Sequence, residues 1–296
     1  MGKHQPKIIE QKLAHIIGLD FRRDIPAKSL TTFGGGGAVS LILVPRHTTA
    51  LLLTLKELSD MGIVPLIIGK GANTIIADGG ITTPVLSLAA FSKITKHGNY
   101  VTAQSGVLSG TLTRFAKDNW LTGLEFLAGV PATVGGLVFM NAGAFGLEIK
   151  DKVVECEILN DGAVQKKLPE FSYRRGKFDG ILLSATFNLD YSTKEDVERE
   201  MEKNLRARRK KQPPQPSCGS VFKAADGVPA AVFIEDTGLK GYKIGGAEIS
   251  KQHCNFIVNT GEATASDFLK LADLIKTTVH YELGTVLEPE FVLLKD

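Results

Sequence analysis

Apolar residues follow strand-like and helix-like spacings in turn along the first part of the chain. The apolar run 40–44 predicts a buried strand, and 64–68 predicts a second one. Between them, apolar residues recur at helical spacing over 48–61, with Thr48 or Thr49 as the predicted N-cap. A strand, helix, strand order of this kind predicts a βαβ unit.

Further along the chain the pattern predicts four more helices, a sheet and a linker. These four helices are predicted over 109–119, 194–211, 229–236 and 264–283, and a short amphipathic helix is predicted near the N-terminus over 7–17. Strands are predicted within 153–187 and at 246–250, 255–259 and 286–294, the last of which could return to an earlier domain. Gln212-Pro213-Pro214-Gln215-Pro216 predicts a linker and a domain boundary, because proline ends helices and stiffens connections.

Composition narrows the class of protein. The chain has 296 residues, enough for about two domains, with 43% hydrophobic and 23% charged residues. That balance is typical of a globular protein and excludes wholesale disorder. No apolar run approaches the roughly 18 residues of a membrane span, and the N-terminus lacks the apolar core of a signal peptide. A cytoplasmic protein without membrane insertion or an obligate protein partner is expected.

Charge and cysteine content argue against two other classes of function. The net charge of +3 is too small to indicate a nucleic-acid partner. The basic cluster at 206–211 leaves nucleic-acid binding conceivable, but cations at a helix C-terminus on a solvated face are the more ordinary interpretation. Cys156, Cys218 and Cys254 are odd in number and far apart, so no disulfide framework or metal site is expected.

Glycine-rich segments are the strongest local signal. Gly69-Lys70-Gly71-Ala72-Asn73 is not a dinucleotide-binding fingerprint, because Thr74 stands where glycine is needed, and no P-loop ending follows. It is either a tight turn or a row of backbone N–H groups around an anion. The small-residue segments 129–136 and 140–146 either let a ligand lie flat against the backbone or allow close strand packing.

A few polar residues in unusual settings are candidates for chemistry. Arg174 follows Tyr173 after a strand signal, and Ser220 lies in a glycine-containing turn beyond the linker. Glu290 lies within an apolar C-terminal strand, where burial would raise its pKa or require a cationic partner.

These motifs together resemble the UDP-N-acetylenolpyruvoylglucosamine reductase (MurB) family, in its shorter class. The matching segments cover nearly the whole chain: 32–38, 69–73, 123–136, 140–144, 173–174, 216–223, 238–247 and 287–290. The resemblance implies an α+β fold, with a two-subdomain FAD-binding module of the vanillyl-alcohol-oxidase (PCMH) type and a separate α+β substrate-binding domain. It implies boundaries at 1–87 and 88–193 for the subdomains, with strand 288–296 returning to the first, a connecting helix and linker at 194–216, and a substrate domain at 217–287.

The resemblance also implies the cofactors and the site. The family reduces UDP-N-acetylglucosamine enolpyruvate with NADPH through FAD, which is expected to be noncovalent because no histidine lies in the matched loops. Carried over by motif, the FAD-binding residues are Gly69, Lys70, Gly71, Ala72, Asn73, Thr74, Gly129, Val130, Pro131, Thr133, Gly135, Gly136, Asn141, Ala142 and Gly143. The substrate-binding residues would be Tyr173, Lys223, Lys243 and His253, and no metal is expected.

The same resemblance implies three catalytic roles. Arg174 would stabilise the negative charge that builds up on the substrate, Glu290 would support its enol form, and Ser220 would donate the final proton. The chain departs from the family pattern at three positions, Ala132, Gly176 and Ala224. Two other functions stay open: a small-molecule oxidase of the same superfamily, and a nonenzymatic binding module.

Overall fold

The computed structural model describes residues 5–296, so the first four residues of the predicted subdomain 1–87 lie outside it. The first part of the chain builds a four-stranded sheet. Its elements are α1 (Gln5–Leu13), β1 (Leu19–Pro26), α2 (Ala27–Leu30), β2 (Ala38–Pro45), α3 (Thr48–Asp60), β3 (Leu66–Ile68), β4 (Thr74–Ile76) and β5 (Val85–Ser87). The strand order is β1-β2-β5-β3.

The predicted βαβ unit is present, with β5 inserted between its strands. Strands β2 and β3 both pair in parallel with β5 rather than with each other. Helix α3 packs on this sheet through Leu51 and Leu58. The predicted N-cap is wrong: His47 caps α3, because its Nδ1 accepts a hydrogen bond from the Ala50 N–H at 3.1 Å.

The second part is a five-stranded antiparallel sheet with short ribbons beside it. Its elements are β6 (Ile94–His97), β7 (Tyr100–Gln104), α4 (Ser109–Asp118), β8 (Leu121–Thr122), α5 (Val134–Phe139), β9 (Gly143–Ala144), β10 (Leu147–Glu148), β11 (Val153–Asn160), β12 (Ala163–Lys167), β13 (Glu170–Ser172), β14 (Arg175–Lys177), β15 (Ile181–Asn188) and β16 (Asp190–Tyr191). The sheet order is β12-β11-β15-β7-β6. Its core contains Phe126, Leu137, Ile149 and Phe187.

A long charged helix leads into the third part. Helix α6 spans Lys194–Lys211, the predicted bounds, because Thr193 caps its N-terminus and the proline linker follows. The elements after the linker are α7 (Ala230–Asp236), β17 (Lys243–Ile244), β18 (Ala247–Ile249), β19 (Ile257–Asn259) and α8 (Ala265–Leu283). Thr264 and Asp267 form a capping box at the start of α8.

The C-terminal strand crosses back to the first part. Strand β20 (Val292–Leu294) pairs in parallel with β4, with Leu293 opposite Ile75. Phe33 and Ile75 from the first part belong to the same buried cluster as Phe222 and Phe268 from the third part. Two parts that are distant in sequence therefore share one core. Within residues 5–296, no helix is long and apolar enough to cross a membrane.

Candidate functional site

A cleft of about 1100 Å³ lies where the three parts of the chain meet. Most of the predicted site residues line it: Gly69, Lys70, Gly71, Ala72, Asn73, Thr74, Gly129, Val130, Pro131, Thr133, Gly135, Gly136, Ala142, Gly143, Arg174, Ser220 and Glu290. The fold therefore opens the two glycine-rich segments and the three candidate catalytic residues to one cavity.

One wall of the cleft is the loop between β3 and β4. Gly71 has φ +65°, and a Cβ there would lie 2.0 Å from the backbone oxygen of Leu30, so only glycine fits. A Cβ at Gly69 would lie 2.5 Å from Thr133 Oγ1, which belongs to the facing wall. The small residues of this loop therefore allow the two walls to come close together at one end of the cleft.

The facing wall is the segment that contains α5. The Thr133 hydroxyl accepts a hydrogen bond from the Gly136 N–H at 3.3 Å and so caps this short helix. The Gly135 N–H donates to the Ser105 backbone oxygen at 2.9 Å, which ties the wall to the end of β7. This part of the sequence folds as a helix start with small side chains, which keeps the cleft open.

Arg174 lies at the tip of the hairpin β13–β14. The hairpin pairs Ser172 with Arg175, so Tyr173 and Arg174 form its two-residue turn. Arg174 has φ +56°, a conformation that side-chain-bearing residues seldom adopt and that is found at functional sites. Its Nε lies 3.5 Å from Glu290 Oε1. Arg174 and Glu290 thus face each other across the cleft as a loose ion pair.

Backbone contacts hold Ser220 and Glu290 close together. The Glu290 N–H donates at 2.8 Å to the backbone oxygen of Val221, the residue that follows Ser220 in the sequence. Asn73 Nδ2 donates to the Glu290 backbone oxygen at 2.8 Å, and the Asn73 backbone oxygen accepts from the Val292 N–H. Asn73 therefore fixes the glycine loop of the first part to the segment that carries Glu290.

Burial shapes the titration of two groups here. It raises the pKa of Glu290 above that of a free glutamate, although the positive charges of Arg174 and Lys223 oppose the effect. Burial also raises the pKa of the Cys218 thiol to about 12. A carboxyl that is protonated more readily suits an acid role, whereas the Cys218 thiol stays protonated and is a poor nucleophile.

Five predicted site residues lie outside the lining of this cleft. Tyr173 is exposed, with its ring 5.1 Å from the Arg174 guanidinium carbon. Lys223 and Lys243 pair with Glu288 and Glu248 at 3.2 and 3.1 Å. The other two are His253, whose ring packs against Phe256 of the cleft wall, and Asn141, which is fully buried.

Arg208 is a cleft residue that the sequence pattern did not reveal. Its half-buried side chain donates to the backbone oxygen of Ala128 at 3.2 Å and to Gln212 Oε1 at 3.0 Å. Together with Lys70 and Lys211 it lines the cleft, and none of the three forms an ion pair with a carboxylate within residues 5–296. Helical periodicity could have identified this face of α6, but the surrounding charges suggested a solvated surface.

The cleft suits the expected FAD. Its volume of about 1100 Å³ slightly exceeds the roughly 300–1000 Å³ range of small-molecule sites, enough for a large cofactor beside a substrate. Three cations without carboxylate partners suit a pyrophosphate. The close-packed glycines suit a ligand that contacts the backbone.

The departure at Gly176 has a physical reason in this chain. Gly176 is buried in β14, and a Cβ there would lie 2.3 Å from the Val138 backbone oxygen of α5. A serine or any other residue with a Cβ would not fit at this position without movement of the hairpin. The backbone of β14, which follows the turn of Arg174, therefore packs directly against the backbone of α5.

Comparisons with known proteins agree on one family. The family model described as "UDP-N-acetylenolpyruvoylglucosamine reductase, C-terminal domain" matches residues 211–294, and that described as "FAD binding domain" matches 39–166. UDP-N-acetylenolpyruvoylglucosamine reductase of Caldicellulosiruptor saccharolyticus is 41% identical over 93% of this chain and 92% of its own. The enzyme of Limosilactobacillus reuteri is 37% identical over 92% of this chain and 94% of its own.

A solved structure shows the same architecture. The crystal structure of UDP-N-acetylenolpyruvylglucosamine reductase (MurB) from Thermus caldophilus has a TM-score of 0.78 and 32% identity, over 94% of this chain and 99% of that one. The predicted α+β fold, an FAD-binding module with a further domain, is confirmed by these likenesses.

Proposed function

The chain belongs to the UDP-N-acetylenolpyruvoylglucosamine reductase family, and from this premise we propose that it reduces UDP-N-acetylglucosamine enolpyruvate to UDP-N-acetylmuramate. The reductant is NADPH and the cofactor is FAD, as in the family, and the product is a precursor of peptidoglycan. The observation that carries the proposal is the single cleft to which Arg174, Ser220, Glu290 and both glycine-rich walls are open.

The glycine-rich walls would hold the cofactor. We assign FAD binding to 69–74, to 129–136 and to Ala142 and Gly143, with the charges of Lys70 and Arg208 near its pyrophosphate. Asn141 would support the wall from behind, since its amide is already hydrogen bonded to protein groups. The chemistry that FAD supplies when bound is hydride transfer from NADPH to the enolpyruvyl group.

Arg174 and Glu290 would stabilise the charge that the substrate develops. Hydride addition to the terminal vinyl carbon leaves negative charge on the adjacent carbon, and this charge spreads into the substrate carboxylate. The Arg174 side chain lines the cleft and its Nε has no hydrogen-bond partner within residues 5–296, so the guanidinium can bind that carboxylate. Glu290, whose pKa burial raises, can donate a hydrogen bond to the same group in its protonated form.

Ser220 would complete the reduction with a proton. A serine hydroxyl is too weak an acid to titrate near neutral pH, but the carbon that it protonates is a strong base. The Val221 backbone oxygen accepts from the Glu290 N–H, and the Val221 N–H donates to the Asn255 backbone oxygen, so the loop of Ser220 is fixed. A positioned hydroxyl needs no reorganisation when the charge develops.

Contacts with the sugar nucleotide are proposed at the rim of the cleft. We assign contacts with the UDP-sugar to Tyr173, Lys223, Lys243 and His253. Tyr173 adjoins Arg174, and Lys223 follows the Ser220 loop.

We also propose domain boundaries at 87, 193, 216 and 287, and a cytoplasmic location.

An absorbance spectrum followed by an NADPH oxidation assay tests this function. The purified protein is expected to be yellow, and acid precipitation should release all of the colour into the supernatant. NADPH oxidation should require UDP-N-acetylglucosamine enolpyruvate and produce UDP-N-acetylmuramate in equal amount. Colour that stays in the pellet together with substrate-independent oxygen consumption would favour an oxidase, and a colourless protein that binds no added FAD would favour the nonenzymatic alternative.

A further inference from the structure

A second carboxylate lies near Arg174, next to a different guanidinium nitrogen from the one that faces Glu290. Glu148, at the end of β10, has a side chain that is only 19% exposed. Its Oε2 accepts a hydrogen bond from Asn141 Nδ2 at 3.0 Å and lies 2.8 Å from Lys150 Nζ, and its N–H donates to Asp151 Oδ2 at 2.8 Å. The Glu148 side chain also accepts a hydrogen bond from the Asp151 N–H in a capping box, and its Oε1 lies 4.0 Å from Arg174 Nη1.

Asn141 connects this carboxylate to the turn of Arg174. The residue is completely buried and has φ +40°. Besides Glu148, its Nδ2 donates to the backbone oxygen of Ser172 at 3.0 Å, and its Oδ1 accepts from the Lys150 N–H at 3.1 Å. One amide thus holds both the carboxylate and the start of the hairpin turn, which keeps Glu148 and Arg174 in register.

Gly143 leaves the space that this approach needs. It pairs with Glu148 in the ribbon β9–β10, and a Cβ at Gly143 would lie 2.8 Å from Glu148 Cγ and 2.9 Å from Arg174 Nη1. Any side chain at this position would push the carboxylate and the guanidinium apart. The glycine is therefore required by space, since its φ lies outside the left-handed region.

Arg174 closes on neither of its two carboxylate neighbours. Its nitrogens lie 4.0 Å from Glu148 and 3.5 Å from Glu290, which is beyond a normal charged hydrogen bond. Its buried Nε has no hydrogen-bond partner within residues 5–296. A guanidinium attracted from two sides keeps donors available for a third carboxylate.

We propose that Glu148 is a positioning residue for the reduction: its charge keeps the Arg174 guanidinium from closing on Glu290, so that the donors of Arg174 stay free for the carboxylate of the substrate. The inference rests on the proposed function, and it does not require Glu148 to contact the substrate.

Loss of the Glu148 charge has a predictable effect on Glu290. The charged and titratable groups that face Glu290 are Arg174, Lys223 and the Cys218 thiol. Without Glu148, Arg174 is free to move closer to Glu290 than the present 3.5 Å. A closer guanidinium favours ionised Glu290, so its protonated form would be lost at a lower pH than in the wild type.

Glu148→Gln tests the proposal in the FAD-loaded enzyme, because the amide keeps the shape of the side chain and removes its charge. Stopped-flow absorbance follows the two half-reactions separately. We expect NADPH to reduce the flavin at a rate within about 2-fold of wild type, and the enolpyruvyl substrate to reoxidise it about 10-fold more slowly. The alkaline limit of this second phase should shift to lower pH. Glu155→Gln, which breaks the exposed pair with Lys166, is the matched control and should change neither phase.

A double variant distinguishes positioning from a general structural effect. If Glu148 acts through Arg174, Glu148→Gln should slow the second phase by less than about 2-fold in an Arg174→Lys background, since coupled residues are not additive. A further loss of about 10-fold in that background, or no loss in the single variant, would overturn the proposal. A wild-type enzyme that fails to use the enolpyruvyl substrate would instead refute the proposed function.

Discussion

At the scale of single residues, the identity of the proton donor is the sharpest test of the mechanism. The proposed reaction has two halves, and only the reduction of the enolpyruvyl group takes up a proton on carbon. Ser220 lies half-buried on the cleft, beside the backbone hydrogen bond between Val221 and Glu290.

We expect Ser220→Ala to leave flavin reduction by NADPH nearly unchanged and to slow the second half-reaction 10²–10⁴-fold. That loss corresponds to roughly 3–5 kcal/mol of barrier, typical for removal of a general acid. Ser220→Cys should recover part of the rate, because a thiol can still donate a proton. Stopped-flow absorbance measures both phases; if the alanine variant reoxidises at the wild-type rate, another group donates the proton.

At the scale of elements, helix α8 is held to the first part of the chain at its N-terminus. Asp78, in the turn after β4, accepts hydrogen bonds from the N–H groups of Ala265 and Ser266 at 2.7 and 2.9 Å. Burial by itself would raise the pKa of Asp78, but the hydrogen bonds from Ser266 and Ala265 outweigh it and hold this pKa below its usual value.

Asp78→Asn should therefore lower the stability of the folded protein, by about 1 kcal/mol, the usual scale of a lost helix cap. Because the folded-state pKa is lowered, the wild-type advantage is present above the pKa of the unfolded carboxyl and disappears as the pH falls through the folded value. Thermal unfolding at pH 7 and near pH 3 measures this difference. Asp60→Asn, which removes an exposed pair with Lys56, serves as the control. An equal deficit of Asp78→Asn at both pH values would contradict the charge-dependent contact.

At the scale of the whole molecule, the third part is bound more firmly to the first part than its linker suggests. Thr32 Oγ1 donates to the Ser217 backbone oxygen at 2.7 Å, and Asn259 Nδ2 donates to the Phe33 backbone oxygen at 3.0 Å. Strand β20 and the shared core around Phe33 add to these contacts. The linker at 212–216 is therefore a covalent connection between parts that are also held by packing.

We expect a protease cut in this linker to leave the two fragments associated. Pro214 to Pro216 is exposed, whereas the preceding turn of α6 is protected because Gln252 Nε2 donates to the backbone oxygens of Arg209 and Lys210 at 3.1 Å. Brief subtilisin digestion followed by gel filtration should give one peak that contains both fragments, and digestion should be slower with the UDP-sugar bound. Uncut protein run in parallel is the control. Separate elution of the fragments would show that packing across the linker is weak.

Local pattern was sufficient for much of the fold. The alternating charges of 194–211 and the apolar stripe of 264–283 predicted helices whose bounds differ from the structure by at most one residue. Their N-cap residues, Thr193 and Thr264, directly precede the helices in the sequence, so a local pattern is enough to place these helix starts. The predicted N-cap of α3 was wrong because histidine is an uncommon capping residue. In the structure the His47 ring nitrogen accepts a hydrogen bond from the Ala50 N–H. The helix predicted over 7–17 ends at Leu13, although Ile16 stays buried.

The sequence by itself determined the six longest helices, several of the strands, the glycine segments and, through a family resemblance, three candidate catalytic residues. Only the tertiary structure decided that Asn73 holds Glu290, that Arg208 faces the cleft, and that Glu148 faces Arg174. Periodicity reports which face of an element is apolar, and it carries no information about which distant element will cover that face. Asn73 and Glu290 are 217 residues apart, so their contact depends on the packing of β20 beside β4, which no local pattern encodes.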